Sequence, residues 1–100
     1  MTEQRPILAF FTSQRSGPGR RMESLLAQLA RRERQRLRVL RVEIDDRPDL
    51  AERFSVSVVP TLILVNDRRV VGRLEGRVSA PKIQRMLAQS LAVAADVVAA

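Results

Sequence analysis

The amino-acid sequence predicts an α/β domain with the element order βαβαββα, and three observations carry that reading. Two short runs, Ile7 to Phe11 and Thr61 to Val65, are apolar at successive positions, as strands buried on both faces are. Two segments, from Gly19 and from Ser79, place apolar residues at the spacing of a helix with one buried stripe. Between the second apolar run and Val70 to Leu74 stands Asn66-Asp67-Arg68, a turn of hairpin type. One hundred residues suit one domain with one modest core, so residues 1–100 are read as a single unit.

Each element has its own justification. Pro6 fits the first position of strand one, which should be central because both its faces are apolar. The first helix carries Met22, Leu25, Leu26, Leu29 and Ala30 on its buried face and runs to about Arg34. Leu37 to Ile44 returns to strand chemistry, with Leu40, Val42 and Ile44 on one face and a mixed, charged second face, the pattern of an edge strand. Asp45-Asp46-Arg47-Pro48 supplies an acidic residue near the N-cap and a proline in the first turn of a short helix over 49–54. Ser55 to Pro60 then leads into the second apolar strand and its hairpin. After Gly76, Ser79-Ala80-Pro81 reads as the N-cap and first turn of the last helix, with Ile83, Met86, Leu87, Leu91 and Ala94 inward.

Composition closes off much chemistry. There is no cysteine and no histidine, which removes disulfides, thiol nucleophiles, thiolate metal sites and the commonest general base. No metal site and no cofactor is expected. The chain is 45% hydrophobic and 29% charged, as an ordinary globular protein is. Its apolar runs are shorter than a membrane span, and Met1-Thr2-Glu3-Gln4-Arg5 enters the first strand without the pattern of a signal peptide, so a cytoplasmic protein without membrane contact is expected. Seventeen of the 18 basic residues are arginine, and the net charge is +7. Eight arginines against Glu23 and Glu33 fall between Arg20 and Arg41. Arg20, Arg21, Arg31, Arg32, Arg34, Arg36 and Arg38 are therefore a candidate basic surface for acidic partners. Aromatic residues that stack on bases are nearly absent, so a solvated face is favoured over a nucleic-acid site.

The segment that organises the chain is Arg15-Ser16-Gly17-Pro18-Gly19-Arg20, where strand one hands over to the first helix. A turn there leaves backbone N–H groups free at a helix N-terminus. With the strand ending Val42-Glu43-Ile44-Asp45, with Val56 to Pro60 followed by Thr61, and with Gly76 before the last helix, this segment resembles the thioredoxin superfamily. The resemblance covers nearly the whole chain. It implies a minimal thioredoxin-like fold, lacking the family's N-terminal strand and helix, with a four-stranded mixed sheet of order 2-1-3-4 flanked by helices. It also implies a cis peptide bond before Pro60.

At every position that carries the family's redox chemistry this sequence differs. Ser16 stands at the attacking cysteine's position and Gly19 at the resolving one. Phe10 stands at the buried acid's position, and Arg15 at that of the tryptophan before the motif. A serine hydroxyl is too poor a nucleophile for disulfide exchange, and glycine has no side chain to resolve a mixed disulfide. Ser16 is better explained as an N-cap than as a ligand for a bound thiol. The first reading is a redox-inactive, non-enzymatic domain that binds a protein or an extended, acidic peptide along a groove lined by Arg15, Ser16, Gly17, Val59, Pro60 and Gly76. Alternatives are a thiol–disulfide oxidoreductase whose cysteines were replaced by design, a glutathione-binding transferase relative, and a basic nucleic-acid-associated adaptor. A homodimer or partner contact is expected through Leu91, Ala94, Val97 and Val98 of the last helix.

Overall fold

The computed structural model describes residues 5–99, with the backbone alone for residues 18 and 92–99. The elements follow in the order β1 (Ile7–Thr12), α1 (Gly17–Arg32), β2 (Arg38–Glu43), α2 (Pro48–Arg53), β3 (Thr61–Asn66), β4 (Arg69–Glu75) and α3 (Ala80–Ala99). They form one four-stranded sheet of order β2-β1-β3-β4. β1 pairs in parallel with β2 and antiparallel with β3, and β3 pairs antiparallel with β4. This is the minimal thioredoxin-like architecture that the resemblance implies, with β1 central and β2 at an edge.

Alternation along the strands divides the apolar residues between two faces. On one face Leu8, Phe10, Leu62 and Leu64 meet Met22, Leu26 and Leu29 of α1 and Ile83 and Met86 of α3. Leu37, just before β2, is buried in the same cluster. Gly72 of β4 allows α3 this close, because a Cβ there would stand 2.8 Å from the Met86 sulfur. On the other face Ala9, Phe11 and Ile63 are covered by Val42, Ile44, Leu50, Phe54 and Val56. Phe54 packs tilted on Phe11 with ring centroids 5.8 Å apart, which fastens the six-residue α2 to the sheet.

The connections follow local chemistry. The hairpin turns on Asp67 and Arg68, both at positive φ (53° and 66°), the combination of a type I′ turn. α2 is capped by Phe54 and followed by Ser55 at φ 55°, and Arg73 of β4 donates to the carbonyls of Phe54 (2.7 Å) and Ser55 (2.6 Å), holding the turn that leaves the helix.

Local details add to these expectations. Asp46 stands next to the N-cap of α2 and Pro48 opens the helix; the N-cap itself is Arg47, with no side-chain cap, and its guanidinium donates to Asp49 in the first turn, at 3.1 and 3.0 Å. Hydrogen bonding from Arg47 holds the Asp49 carboxyl below its ordinary value. The mixed second face of β2 is partly covered: Val39 packs against the α1 side of the core and Glu43 is buried. Leu91 packs against that same core, whereas Ala94, Val97 and Val98, proposed with it as a dimer contact, lie outside the residues whose side chains are described.

Phe10 should therefore behave as a core residue. Phe10→Ala is expected to cost about 3–5 kcal/mol, read as a fall in the urea midpoint, while Val70→Ala on the exposed edge should stay within about 0.5 kcal/mol.

Candidate functional site

The turn after β1 is held by two carboxylates at the end of the neighbouring strand. Ser13 Oγ donates to Asp45 Oδ2 (3.0 Å) and accepts from the Arg15 N–H (3.2 Å). The Gln14 N–H donates to Glu43 Oε1 (3.3 Å), and the Ser16 N–H closes a turn on the Ser13 carbonyl (2.9 Å). Glu43 is 8% exposed, and a carboxylate so placed needs partners. Its second one is Arg41, whose Nη2 lies 3.3 Å from Glu43 Oε2 and whose Nε donates to Glu23 Oε1 of α1 at 2.7 Å. The hydrogen bond to Glu23, together with the two carboxylate charges, raises the Arg41 guanidinium above its ordinary value. The turn, β2 and α1 are thus joined through one polar chain. The sequence reading missed it. The available signal was a pair of carboxylates two residues apart at the end of the strand beside β1.

Ser16 is the N-cap of α1. It has extended backbone (φ −90°, ψ 108°), and its Oγ accepts the Gly19 N–H at 3.0 Å. Its hydroxyl is therefore committed to the helix terminus. Gly19 is buried, and a Cβ there would overlap Thr12 Oγ1 and lie 3.1 Å from Ser16 Oγ. Thr12 is 1% exposed. The space into which a side chain at position 19 would project is taken by the threonine hydroxyl, another feature that sequence reading did not find. Gly17 is the opposite case: a Cβ would meet no heavy atom within 4 Å.

The second wall is the segment before β3. The Val59–Pro60 bond is cis. Pro60 C=O accepts the Gly76 N–H at 2.7 Å, and Thr61 Oγ1 donates to the Val58 C=O at 2.6 Å. Gly76 has φ +80°, in the left-handed region that favours glycine, with open space on its Cβ side. Among the described residues, neither the N–H nor the C=O of half-buried Val59 has a partner. Register brings the two walls together, because Phe11 faces Thr61 and Thr61 faces Glu75. The turn with Arg15, Ser16 and Gly17 and the segments with Val59, Pro60 and Gly76 consequently lie at one end of the sheet.

The basic surface is divided. α1 has 16 residues, about 24 Å of helix, so Arg20 and Arg21 sit at the end with the Ser13–Ser16 turn while Arg31, Arg32, Arg34, Arg36 and Arg38 sit at the opposite end. At the turn end Asp45 and Asp46 partly balance the arginines. Among the described residues there is no group of side chains suited to a metal ion, and no helix is long and apolar enough to cross a membrane.

Comparison with known proteins places this architecture. The thioredoxin family model matches residues 1–89. The chain belongs to the thioredoxin family. It is 29% identical over 89 residues to the thioredoxin-like protein slr1139 of Synechocystis, covering 89% of this chain and 82% of that one. It is 30% identical over 76 residues to thioredoxin of Mycobacterium tuberculosis, covering 76% of this chain and 66% of that one. Among solved structures, the germline-specific thioredoxin Deadhead of Drosophila superimposes with a TM-score of 0.81 at 28% identity, over 87% of this chain and 82% of the other. Thioredoxin-2 of the malaria parasite, at 21% identity, shares the fold with a TM-score of 0.83, over 89% of this chain and 86% of the other. Against that family this chain has no cysteine, so dithiol exchange has no nucleophile among its own residues.

Two outcomes test the site's local physics. Ser16→Ala should cost about 1 kcal/mol by loss of the cap, with Ser16→Asp recovering most of it. Gly19→Ala, which in an open helix would stabilise by about 1 kcal/mol, should here destabilise by about 1–3 kcal/mol. In a Thr12→Ala background the same change should be neutral or favourable, and chemical denaturation of the four proteins measures this coupling.

Proposed function

We propose that this thioredoxin-family domain is redox-inactive and works by binding an extended segment of another protein along the groove between Arg15, Ser16 and Gly17 on one wall and Val59, Pro60 and Gly76 on the other. The observation that carries the reading is the unpartnered main chain of Val59. Backbone amides left without partners in a half-buried position are suited to strand-like pairing with an incoming chain. The absence of side chains at Gly17 and Gly76 leaves room for its backbone. Arg15, Arg20 and Arg21, with the N-terminus of α1, favour acidic residues on that side of the ligand, while Asp45 and Asp46 disfavour them on the other.

Thr12 weighs against the reading in which two cysteines were replaced by design, because a side chain restored at Gly19 meets the threonine hydroxyl. No separate feature supports a bound glutathione, since the Ser16 hydroxyl already caps α1.

The test is a titration of the isotopically labelled protein with an extended peptide bearing acidic residues at one end. Amide shifts should cluster at Ser16, Gly17, Val59 and Gly76, and affinity should fall with salt. Gly17→Leu, which fills open space without a clash, should weaken binding by roughly tenfold or more while leaving stability nearly unchanged. Shifts confined to residues far from Val59, or an unaffected Gly17→Leu protein, would remove this reading. Turnover of insulin disulfides by the protein would remove the redox-inactive part.

A further inference from the structure

The far end of the molecule carries a feature that the groove reading does not use. The fold brings together two arginine clusters distant in sequence. Arg31 and Arg32 end α1, Arg34, Arg36 and Arg38 follow it, and Arg68 and Arg69 turn the β3–β4 hairpin. Pairing of Ile7 with both Arg38 and Val65, and of Val65 with Val70, places the start of β2 and the hairpin at the same sheet end. Three strand spacings, about 14 Å, separate them. All seven arginines are exposed, and Glu33 and Asp67 are the carboxylates beside them among the described residues. Arg36 lies 3.7 Å from Glu33, a weak exposed pair, and Arg5 donates to the Arg34 carbonyl, fixing the loop between.

Next to this pole is an apolar groove of about 490 Å³ between α1 and α3. Leu29, Leu87 and Leu91 form its floor with exposed Ala88, and Arg32 and Arg36 stand at its rim. It continues toward the start of α3 through a smaller recess of about 140 Å³ that includes Leu25 and Ile83. Both walls are helices, and residues 80–91 span about 17 Å, roughly three helical turns.

We propose that this groove docks an acidic amphipathic helix of a partner protein, with its apolar row on Leu29, Leu87 and Leu91 and its carboxylates on the arginines of the pole. Groove and helix are complementary in length, apolar surface and charge. A helix two to three turns long presents apolar residues at i, i+3, i+4 and i+7, which matches a floor of this length, and lies between two helices as a third. Arginine pairs carboxylates in bidentate geometry, so the rim fixes orientation as well as attraction. A nucleic acid would supply charge but nothing apolar for the leucine floor, and no aromatic side chain stands there for its bases. The surface is separate from the Val59 groove, so the two proposals fail independently.

The experiment uses the full 100-residue chain and a synthetic peptide of about 15 residues with leucines in one i, i+3, i+4, i+7 row and glutamates elsewhere. A scrambled peptide of the same composition is the control. The patterned peptide should gain helix by circular dichroism and shift amides of residues 29–36 and 84–91, leaving Ser16, Val59 and Gly76 unmoved. The scrambled peptide should bind roughly tenfold more weakly or worse. Ala88→Glu places a carboxylate in the groove at an exposed helical site, so it should keep the far-ultraviolet spectrum and lose at least about tenfold in affinity. Equal binding of both peptides, or an Ala88→Glu protein that binds as before, would overturn the proposal and leave charge alone. So would failure of the patterned peptide to bind while single-stranded DNA or phosphatidylglycerol vesicles bind the arginines.

Discussion

Everything in this molecule depends on β1 being buried on both faces and paired on both edges. Leu8 and Phe10 serve the core under α1 and α3, while Ala9 and Phe11 serve the one under α2. Burying each large side chain contributes about 1.5–3 kcal/mol, and the strand's hydrogen bonds are shared with β2 and β3. β3, with Leu62 and Leu64 in the first core, Ile63 in the second, and β1 and β4 on its two edges, is the other strand placed in this way. Because β1 cannot slide, its end is a fixed point. The Ser13–Ser16 turn inherits that position, and so does the distance to the segment around Pro60, which is registered through Thr61.

The polar groups around the turn extend this logic. Glu43 ends a strand parallel to β1 and Asp45 lies in the turn that follows it, so their side chains reach the turn where β1 has ended. In an α/β sheet the carboxyl ends of parallel strands are where loops gather, and here the loops are tied by carboxylates as well as by backbone. The arrangement ties the turn to its neighbouring strand without sulfur chemistry. Across the same sheet end, the main chain of Val59 stays without a partner among the described residues.

Most of the architecture was legible because period and punctuation agree along the chain: apolar runs at β1 and β3, the helical stripe from Met22 to Leu29, and the turn at Asp67-Arg68. Edge placement of β2 could be read from its mixed composition. Contacts made only by tertiary pairing were not legible. The burial of Glu43 depends on Arg41 and Gln14 together, and Asp46 looks like a helix cap until Arg47 is seen in that role. The arginine run looked like one surface because sequence distance hides the length of α1. Likewise, Arg68 and Arg69 looked like hairpin residues until strand pairing set them at the same end of the sheet as the start of β2. At the motif itself, the four residues Ser16 to Gly19 told what chemistry was missing, but not what had filled the vacancy.

That filling sets a direction on mutational change. With Thr12 occupying the volume beside Gly19, a cysteine at position 19 is obstructed until position 12 has changed, and a cysteine at position 16 gives up the hydroxyl that caps α1. A walk of single substitutions toward a dithiol therefore passes through a less stable intermediate if it starts at either position 16 or position 19. The obstruction comes from a threonine that lies outside the motif, so the four motif residues cannot be changed to a dithiol independently of position 12.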